Sequence, residues 1–205
     1  MTGQRSYDDP CGIARALDVV GERWALLIVR ELLYGPKRFT DLRVVLGASP
    51  NVLTQRLGEL EQGGVVQRRN AGGALYDLTA WGRDLYPILI QLGRWGARSP
   101  HRPTGQLSVD ALMLALEATF VPDNARDLSA TYELRLGDER FSFSIDSKTI
   151  SIVRGSLRDA DAVIETDPAT LRAIVFGDRH LAGAPVTLTG DMRIARTFFR
   201  LFARP

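Results

Sequence analysis

Residues 49–66 read SPNVLTQRLGELEQGGVV. Ser49 is a residue that caps helix N-termini, and Pro50 suits the first helical position, where no amide hydrogen is needed. Leu53, Leu57 and Leu60 recur at the spacing of one helical face, and Gly63-Gly64 is a stop. The stretch is therefore an amphipathic helix running into a strand. With the leucines inward, its other face presents Asn51, Thr54, Gln55 and Gly58, with Arg56 on the flank. The question is whether that polar face reads a partner or is merely solvated.

Upstream, Trp24, Leu27, Ile28 and Leu32 predict a one-faced helix, ended by Tyr34-Gly35-Pro36. Thr40 is then placed to cap a short helix, with Phe39 and Val44 spaced for a hydrophobic staple and Gly47 as its stop. Downstream, VVQRRNAGGALYDL predicts two short strands around Gly72-Gly73. Thr79 caps a long helix, AWGRDLYPILIQLGRWGAR, in which Pro87 predicts a kink or a break. SPHRPTGQ, residues 99–106, is the candidate linker, with domains at 1–98 and 107–205. The second half opens on an apolar helix, residues 107–122. Strict alternation follows: Tyr132, Leu134 and Leu136, then Phe141, Phe143 and Ile145, then Ile150 and Ile152. That pattern predicts antiparallel strands with one buried face. DAVIETD and PVTLTGD read as further strands, PATLRAIVFGD as a short helix, and MRIARTFFRLFA as a terminal amphipathic one. The fold class expected is α+β, with an N-terminal winged helix-turn-helix domain.

Composition sets bounds on function. The chain has 205 residues, 45% hydrophobic and 24% charged, which is ordinary globular composition. No apolar run is long enough to span a bilayer and the N-terminus reads as no secretory signal, so a cytoplasmic protein without membrane partners is expected. The single cysteine, Cys11, excludes an intramolecular disulfide framework. Net charge is +2. Between Lys37 and Arg69, however, six basic residues (Lys37, Arg38, Arg43, Arg56, Arg68, Arg69) face three acidic ones, a candidate phosphate footprint. His101 and His180 lie apart with no ligand spacing, no phosphate-cradling glycine loop is present, and Asp159 and Asp161 read as polar turn residues. No enzyme activity, metal or cofactor is expected.

Helix, helix, turn, helix, ribbon is the winged variant of helix-turn-helix, whose second helix enters the major groove. Asn and Gln can pair bidentately with adenine, and Arg with guanine or a phosphate. Asn51, Thr54, Gln55 and Arg56, with Ser49 at the helix start and Lys37 and Arg38 before it, form the candidate DNA-facing set. Arg68 and Arg69 precede the hairpin turn, where a wing touches backbone. Residues 11–98 resemble the HxlR family, a MarR-related group of bacterial winged-helix transcription regulators. The resemblance rests on CGIARALDVVGERWALLIVRELLYGPKRFTDLR, on SPNVLTQRLGELEQGGVV and on YDLTAWGRDLYPIL…LGRWG. It implies a homodimer on a palindromic double-stranded operator, and the regulator is expected to be a repressor. Terminal helices would form the interface, here through Ile13, Leu17, Leu85, Ile88, Leu89, Leu92 and Trp95. It also places Cys11 where some family members carry a redox-sensing thiol; the alternative is a small packed residue. The wing, RRNAGGALYDL, is shorter than the family's usual Val-Pro-Pro-containing run.

Residues 107–202 resemble, on a less specific pattern, the sterol carrier protein superfamily. The matching run is YELRLGDERFSFSIDSKTISIVRGSLRDADAVIETDPATLRAIVFGD…PVTLTGDMRIARTFFRLF. The resemblance implies an apolar cavity and an apolar small-molecule ligand. Phe120, Phe141, Phe143, Ile152, Leu171, Val175, Phe176, Phe198, Phe199 and Phe202 are the candidate lining, with plain core as the competing reading. Two further readings stay open: a hydrophobic-ligand carrier without DNA function, and a thiol redox switch through Cys11.

Overall fold

The computed structural model describes residues 6–70, 73–100 and 105–204. The chain divides into two compact units, residues 1–89 and 90–205.

The first unit holds α1 (Gly12–Val20), α2 (Ala25–Leu32), β1 (Lys37–Arg38), α3 (Phe39–Leu46), α4 (Pro50–Gln62), β2 (Val66–Asn70), β3 (Ala74–Leu78) and α5 (Ala80–Arg83). The opening stretch forms as its chemistry dictates. Ser49 Oγ accepts from the Val52 amide at 3.4 Å, Pro50 is the first helical residue, and Leu53, Leu57 and Leu60 are fully buried. Burying each leucine stabilises by about 2 kcal/mol, which outweighs the weakening that Gly58 brings to the helix interior. Gly47 ends α3 in the left-handed region, φ 64°, which glycine adopts at little cost.

Several expectations are corrected. Thr40 does not cap α3. The helix begins two residues earlier, with Arg38 at the cap position, and the Asp41 carboxylate accepts from the Arg38 amide at 3.2 Å. A carboxylate at the third position closes back on the amide of the cap residue, the carboxylate half of a capping box. No staple forms, since Val44 is exposed. Leu27 is also exposed, so the buried face of α2 is set by Ile28, Val29 and Leu32. A two-residue strand, β1, joins the hairpin, giving the sheet order β1-β3-β2.

The LT-x-x-G run has a specific physical cause. Thr79 Oγ1 donates to the Gly64 carbonyl at 2.6 Å and accepts from the Gly82 amide at 2.9 Å, while the Thr79 amide donates to the Val65 carbonyl at 3.0 Å. One residue thus caps α5 and staples it to the entrance of β2. Gly82 lies against that entrance, and a Cβ there would collide with the Val65 carbonyl oxygen. The helix then breaks at Asp84-Leu85 and resumes as α6 (Tyr86–Gly96), with Pro87 in its first turn. The interruption expected from Pro87 is therefore present, and the division between units falls inside α6.

The second unit continues with α7 (Val109–Thr119), a 3₁₀ turn (Pro122–Ala125), β4 (Ser129–Leu136), β5 (Glu139–Asp146), β6 (Thr149–Arg154), β7 (Ala162–Thr166), α8 (Pro168–Val175), β8 (Thr187–Gly190) and α9 (Met192–Phe198). Its sheet has the order β6-β5-β4-β7-β8. The alternation places Tyr132, Leu134, Phe141, Phe143, Ile152 and Ile164 in facing register on the buried side. β7 pairs with β4 in parallel, which alternation alone does not specify. The terminal helix stops at Phe198, one turn earlier than its apolar pattern suggests, and Phe202 instead bridges to Phe120. Asp167 caps α8 and Asp191 caps α9. The α+β expectation holds for this unit.

Candidate nucleic-acid interface

On α4, Asn51, Thr54 and Gln55 are exposed, as the leucine stripe requires. Gln55 Nε2 donates to Glu59 Oε1 at 2.9 Å across one exposed turn. Such a bond is weak enough for water or a base edge to replace. Gly58 faces open space, with nothing within 4 Å of a Cβ built on it. Arg56 behaves differently. Its side chain is 12% exposed and is paired with Glu59 and, at 3.6 Å, with Glu22. It ties α4 to the α1–α2 turn, so of the four polar residues named from the sequence it is the one turned away from a groove.

The three-stranded sheet gathers the remaining basic residues. Tyr76 of β3 lies between Lys37 and Arg68, and Leu75 lies between Arg38 and Arg69. Directly paired residues share a sheet face, and neighbours along a strand alternate. Lys37 and Arg68 therefore share one face, and Arg38 and Arg69 the other. The two wing arginines point in opposite directions, which their adjacency in sequence conceals. On the Arg69 face lies Asp77, a buried carboxylate bound by Arg69 Nη2 at 2.9 Å, Arg83 Nη2 at 2.7 Å and the Leu78 amide at 2.8 Å. Sequence reasoning missed Asp77 and Arg83. The period-two pattern of β3 places Asp77 with Leu75, and that is the signal that could have found it. Ala71 and Gly72, which follow β2, lie outside the described residues.

Of the seven residues named for self-association, Leu89 is buried and Leu85 half-buried. Ile13 and Leu17 stand exposed on α1. On α6, Ile88 (56% exposed), Leu92 and Trp95 (69% exposed) form an apolar stripe at i, i+4 and i+7. Cys11 occupies the N-cap position of α1. It is exposed, its amide donates to Asp9 Oδ1 at 2.8 Å, and its carbonyl accepts from the Arg15 amide.

The residues named for an apolar cavity meet as a cluster of rings. Phe198 lies 5.1–5.6 Å, centroid to centroid, from Tyr132, Phe143, Phe199 and Phe202, and Phe202 contacts Phe120. Phe120, Phe141, Phe143, Ile152, Leu171, Val175, Phe198 and Phe202 are buried, while Phe176 and Phe199 are half-buried. Mutual edge-on packing is what a filled core shows.

The polar groups around this core are structural. Burial pushes the Glu133 carboxyl up, but the hydrogen bonds from Arg135 and the Leu157 amide hold it below its ordinary range. Asp161 accepts from the amide and hydroxyl of Thr131, which holds it low and ties β4 to the start of β7. Gly190, at φ 82°, lets the chain pass the Asp161 carbonyl where a Cβ would clash. Asp167 and Asp191 are held low by the donors they cap, the Thr170 hydroxyl and amide for the first and the Ile194 and Arg193 amides for the second. Asp161, Asp167, Asp191 and Gly190 are thus explained by capping and close approach. Arg154 pairs with buried Asp110 and with Glu139, and lies over the Phe141 ring at 4.6 Å, joining α7 to the sheet. His180 is exposed, and His101 lies outside the described residues. Among the described residues, no group of His, Cys, Asp and Glu is arranged to hold a metal ion, and no helix is long and apolar enough to cross a membrane.

A capped two-helix unit with a polar outward helix and a three-stranded ribbon defines a winged helix-turn-helix domain. The family model described as HxlR-like helix-turn-helix matches residues 19–103. YvaP of Bacillus subtilis, named as an HTH-type transcriptional regulator, is 40% identical over 86 residues, covering 40% of this chain and 80% of that protein. The chain therefore belongs to the HxlR-like helix-turn-helix family. The HTH-type transcriptional regulator Mb3122 of Mycobacterium bovis is 39% identical over 97 residues, 45% of this chain and 61% of that protein, so the match spans under two thirds of its length. Solved structures similar to this chain include the redox regulator HypR in its oxidised form. It is 32% identical with a TM-score of 0.43, over 45% of this chain and 100% of that one.

Proposed function

We propose that the chain is a DNA-binding transcription regulator, a homodimer that represses from a palindromic operator in the cytoplasm. The observation that carries this reading is α4. Its leucines are buried while Asn51, Thr54 and Gln55 stand clear of the core, on the helix that this class of domain sets into the major groove. Lys37, Arg38, Arg68 and Arg69 supply phosphate contacts from the adjoining sheet, and Ser49 supplies one from the helix start. The stripe Ile88, Leu92 and Trp95 on α6, with Ile13 and Leu17 on α1, supports self-association, since exposed large apolar side chains at helical spacing favour burial against a second copy. Two copies would set two recognition helices about 34 Å apart, one turn of duplex.

The second unit is the proposed site of control by an apolar ligand. The half-buried Phe176 and Phe199 support it, as the named rings with surface left to cover. A second reading, a thiol switch, is favoured by the exposure of Cys11 at the start of α1. Selection of bound duplexes from a random pool, with the full chain as bait, tests the main reading. Recovery of an inverted repeat is the expected result, and a pool that stays random after repeated rounds overturns it. Cys11→Ser separates the second reading, because it would abolish a response to oxidant while leaving basal DNA binding intact.

A further inference from the structure

We propose that Arg83, on the short helix after the wing, is a further phosphate-binding side chain, and that the buried carboxylate of Asp77 positions it together with Arg69. The inference rests on the DNA-binding reading above. Asp77 is 2% exposed, and a buried carboxylate needs its charge neutralised. One guanidinium would do so. Two are present, Arg69 on Oδ2 and Arg83 on Oδ1, and the Leu78 amide adds a third donor. The cluster therefore carries a surplus positive charge.

Both guanidinium groups also reach solvent, with side chains 55% and 47% exposed. A guanidinium has five N–H donors in a planar fork, so a group anchored on a carboxylate through one nitrogen keeps others for a second anion. Anchoring reduces the rotamer freedom that a long side chain loses on binding. The arrangement gives two half-exposed forks, from two different elements, held on one rigid buried anion. A phosphodiester of the DNA backbone, planar in its two non-bridging oxygens and singly charged, matches that geometry and charge.

The geometry divides the labour of the wing. Arg68, on the opposite face of β2, is not part of this cluster. Arg83 comes from α5, whose place against β2 is set by Thr79 and Gly82. The shortened wing is thereby supplemented from the helix that follows it.

The test is a salt titration of the full chain against a fluorescein-labelled random-sequence duplex of about three helical turns, read by anisotropy. Each phosphate contact adds about 0.9 to the slope of log affinity against log salt. Arg83→Gln keeps a hydrogen-bond donor for Asp77 but removes the charge. Its slope should be shallower than wild type by about 0.9, so its affinity falls about 3- to 4-fold less between about 50 and 200 mM salt. The double variant Asp77→Asn/Arg83→Gln leaves net charge unchanged and no buried carboxylate unpaired. It should show a slope loss at least as large, which a net-charge effect would not produce. It also serves if Arg83→Gln alone does not fold, as thermal unfolding will show. Arg126→Gln, in the other unit and paired with Asp123, should match wild type. Wild-type slopes in both Arg83 variants overturn the proposal and leave the DNA-binding reading standing. A wild-type affinity that does not fall with salt overturns both.

Discussion

Replacing Gly82 by Ala tests whether α5 is seated on β2 as described. A Cβ at Gly82 would overlap the Val65 carbonyl oxygen and stand 3.0 Å from its carbon, so backbone must separate from backbone. The separation breaks the Thr79 seat. Its parts are the cap to the Gly82 amide at 2.9 Å, the hydroxyl to Gly64 at 2.6 Å and the Thr79 amide to Val65 at 3.0 Å. Losing the cap costs about 1 kcal/mol, and weakening the other two bonds costs about 1 kcal/mol each. Alanine's helix preference returns up to about 1 kcal/mol. The net is a destabilisation of about 2 kcal/mol, a fall of roughly 10 °C in the melting midpoint of a unit this size. Gly58→Ala is the matched control. Open space surrounds that position, so the same chemical change should stabilise by up to about 1 kcal/mol. The assay is thermal unfolding by tryptophan fluorescence in a Trp95→Phe background, where Trp24 and Trp81 remain and both lie in the first unit. Equal shifts for the two variants, or a rise with Gly82→Ala, would refute the reasoning.

Gln55→Ala should reduce discrimination between a selected site and random duplex by about 1–3 kcal/mol, while thermal stability changes little, because Gln55 is exposed and its one bond is to Glu59. Trp95→Glu places a charge in the apolar stripe of α6 and should shift the chain to monomer in sedimentation equilibrium, with a circular dichroism spectrum like that of wild type. The second unit should lose stability in acid. Asp161, Asp167, Asp191 and Glu133 all sit below their ordinary values when folded, so their contribution is present above about pH 4 and is lost as pH falls through the lower folded values. Urea unfolding from pH 5 to pH 2.5 should show this, and Asp161→Asn should flatten it. The alkaline side has its own group: burial first, then the carboxylates of Asp161 and Asp191, push the Tyr132 hydroxyl up to about 12. Stability should fall as pH rises above about 10, where the unfolded tyrosine ionises, and Tyr132→Phe should remove that loss.

Much of this was legible because local chemistry and burial agreed. In residues 49–66 the cap, the proline, the leucine spacing and the glycine stop all specify one helix, and its polar face followed by subtraction. Alternation in the second half told which residues face inward, but not which strands are neighbours. The parallel β4–β7 pair depends on a crossover whose energetics are not local. Thr40 does not cap because Asp41, at the third helical position, closes back on the Arg38 amide and the helix starts two residues upstream. Arg68 and Arg69 looked like one basic feature, yet a period of two sends them to opposite faces. Arg56 looked like a reader because its charge is visible in sequence and its partners, Glu22 and Glu59, are fixed by folding. The terminal helix was read one turn too long because its apolar pattern continues past Phe198, where the chain turns and Phe202 bridges to Phe120.

The central claim is that the exposed face of α4 reads bases. Its most direct test is the equilibrium affinity of the full chain for a duplex recovered by selection, against the same duplex with its half-sites scrambled, at one physiological salt concentration. A base-reading helix predicts tighter binding to the selected duplex by roughly 10³-fold or more, with most of that ratio lost in a variant carrying alanine at Asn51, Thr54 and Gln55. Equal affinities for the two duplexes, or a ratio unmoved by the triple substitution, would contradict it.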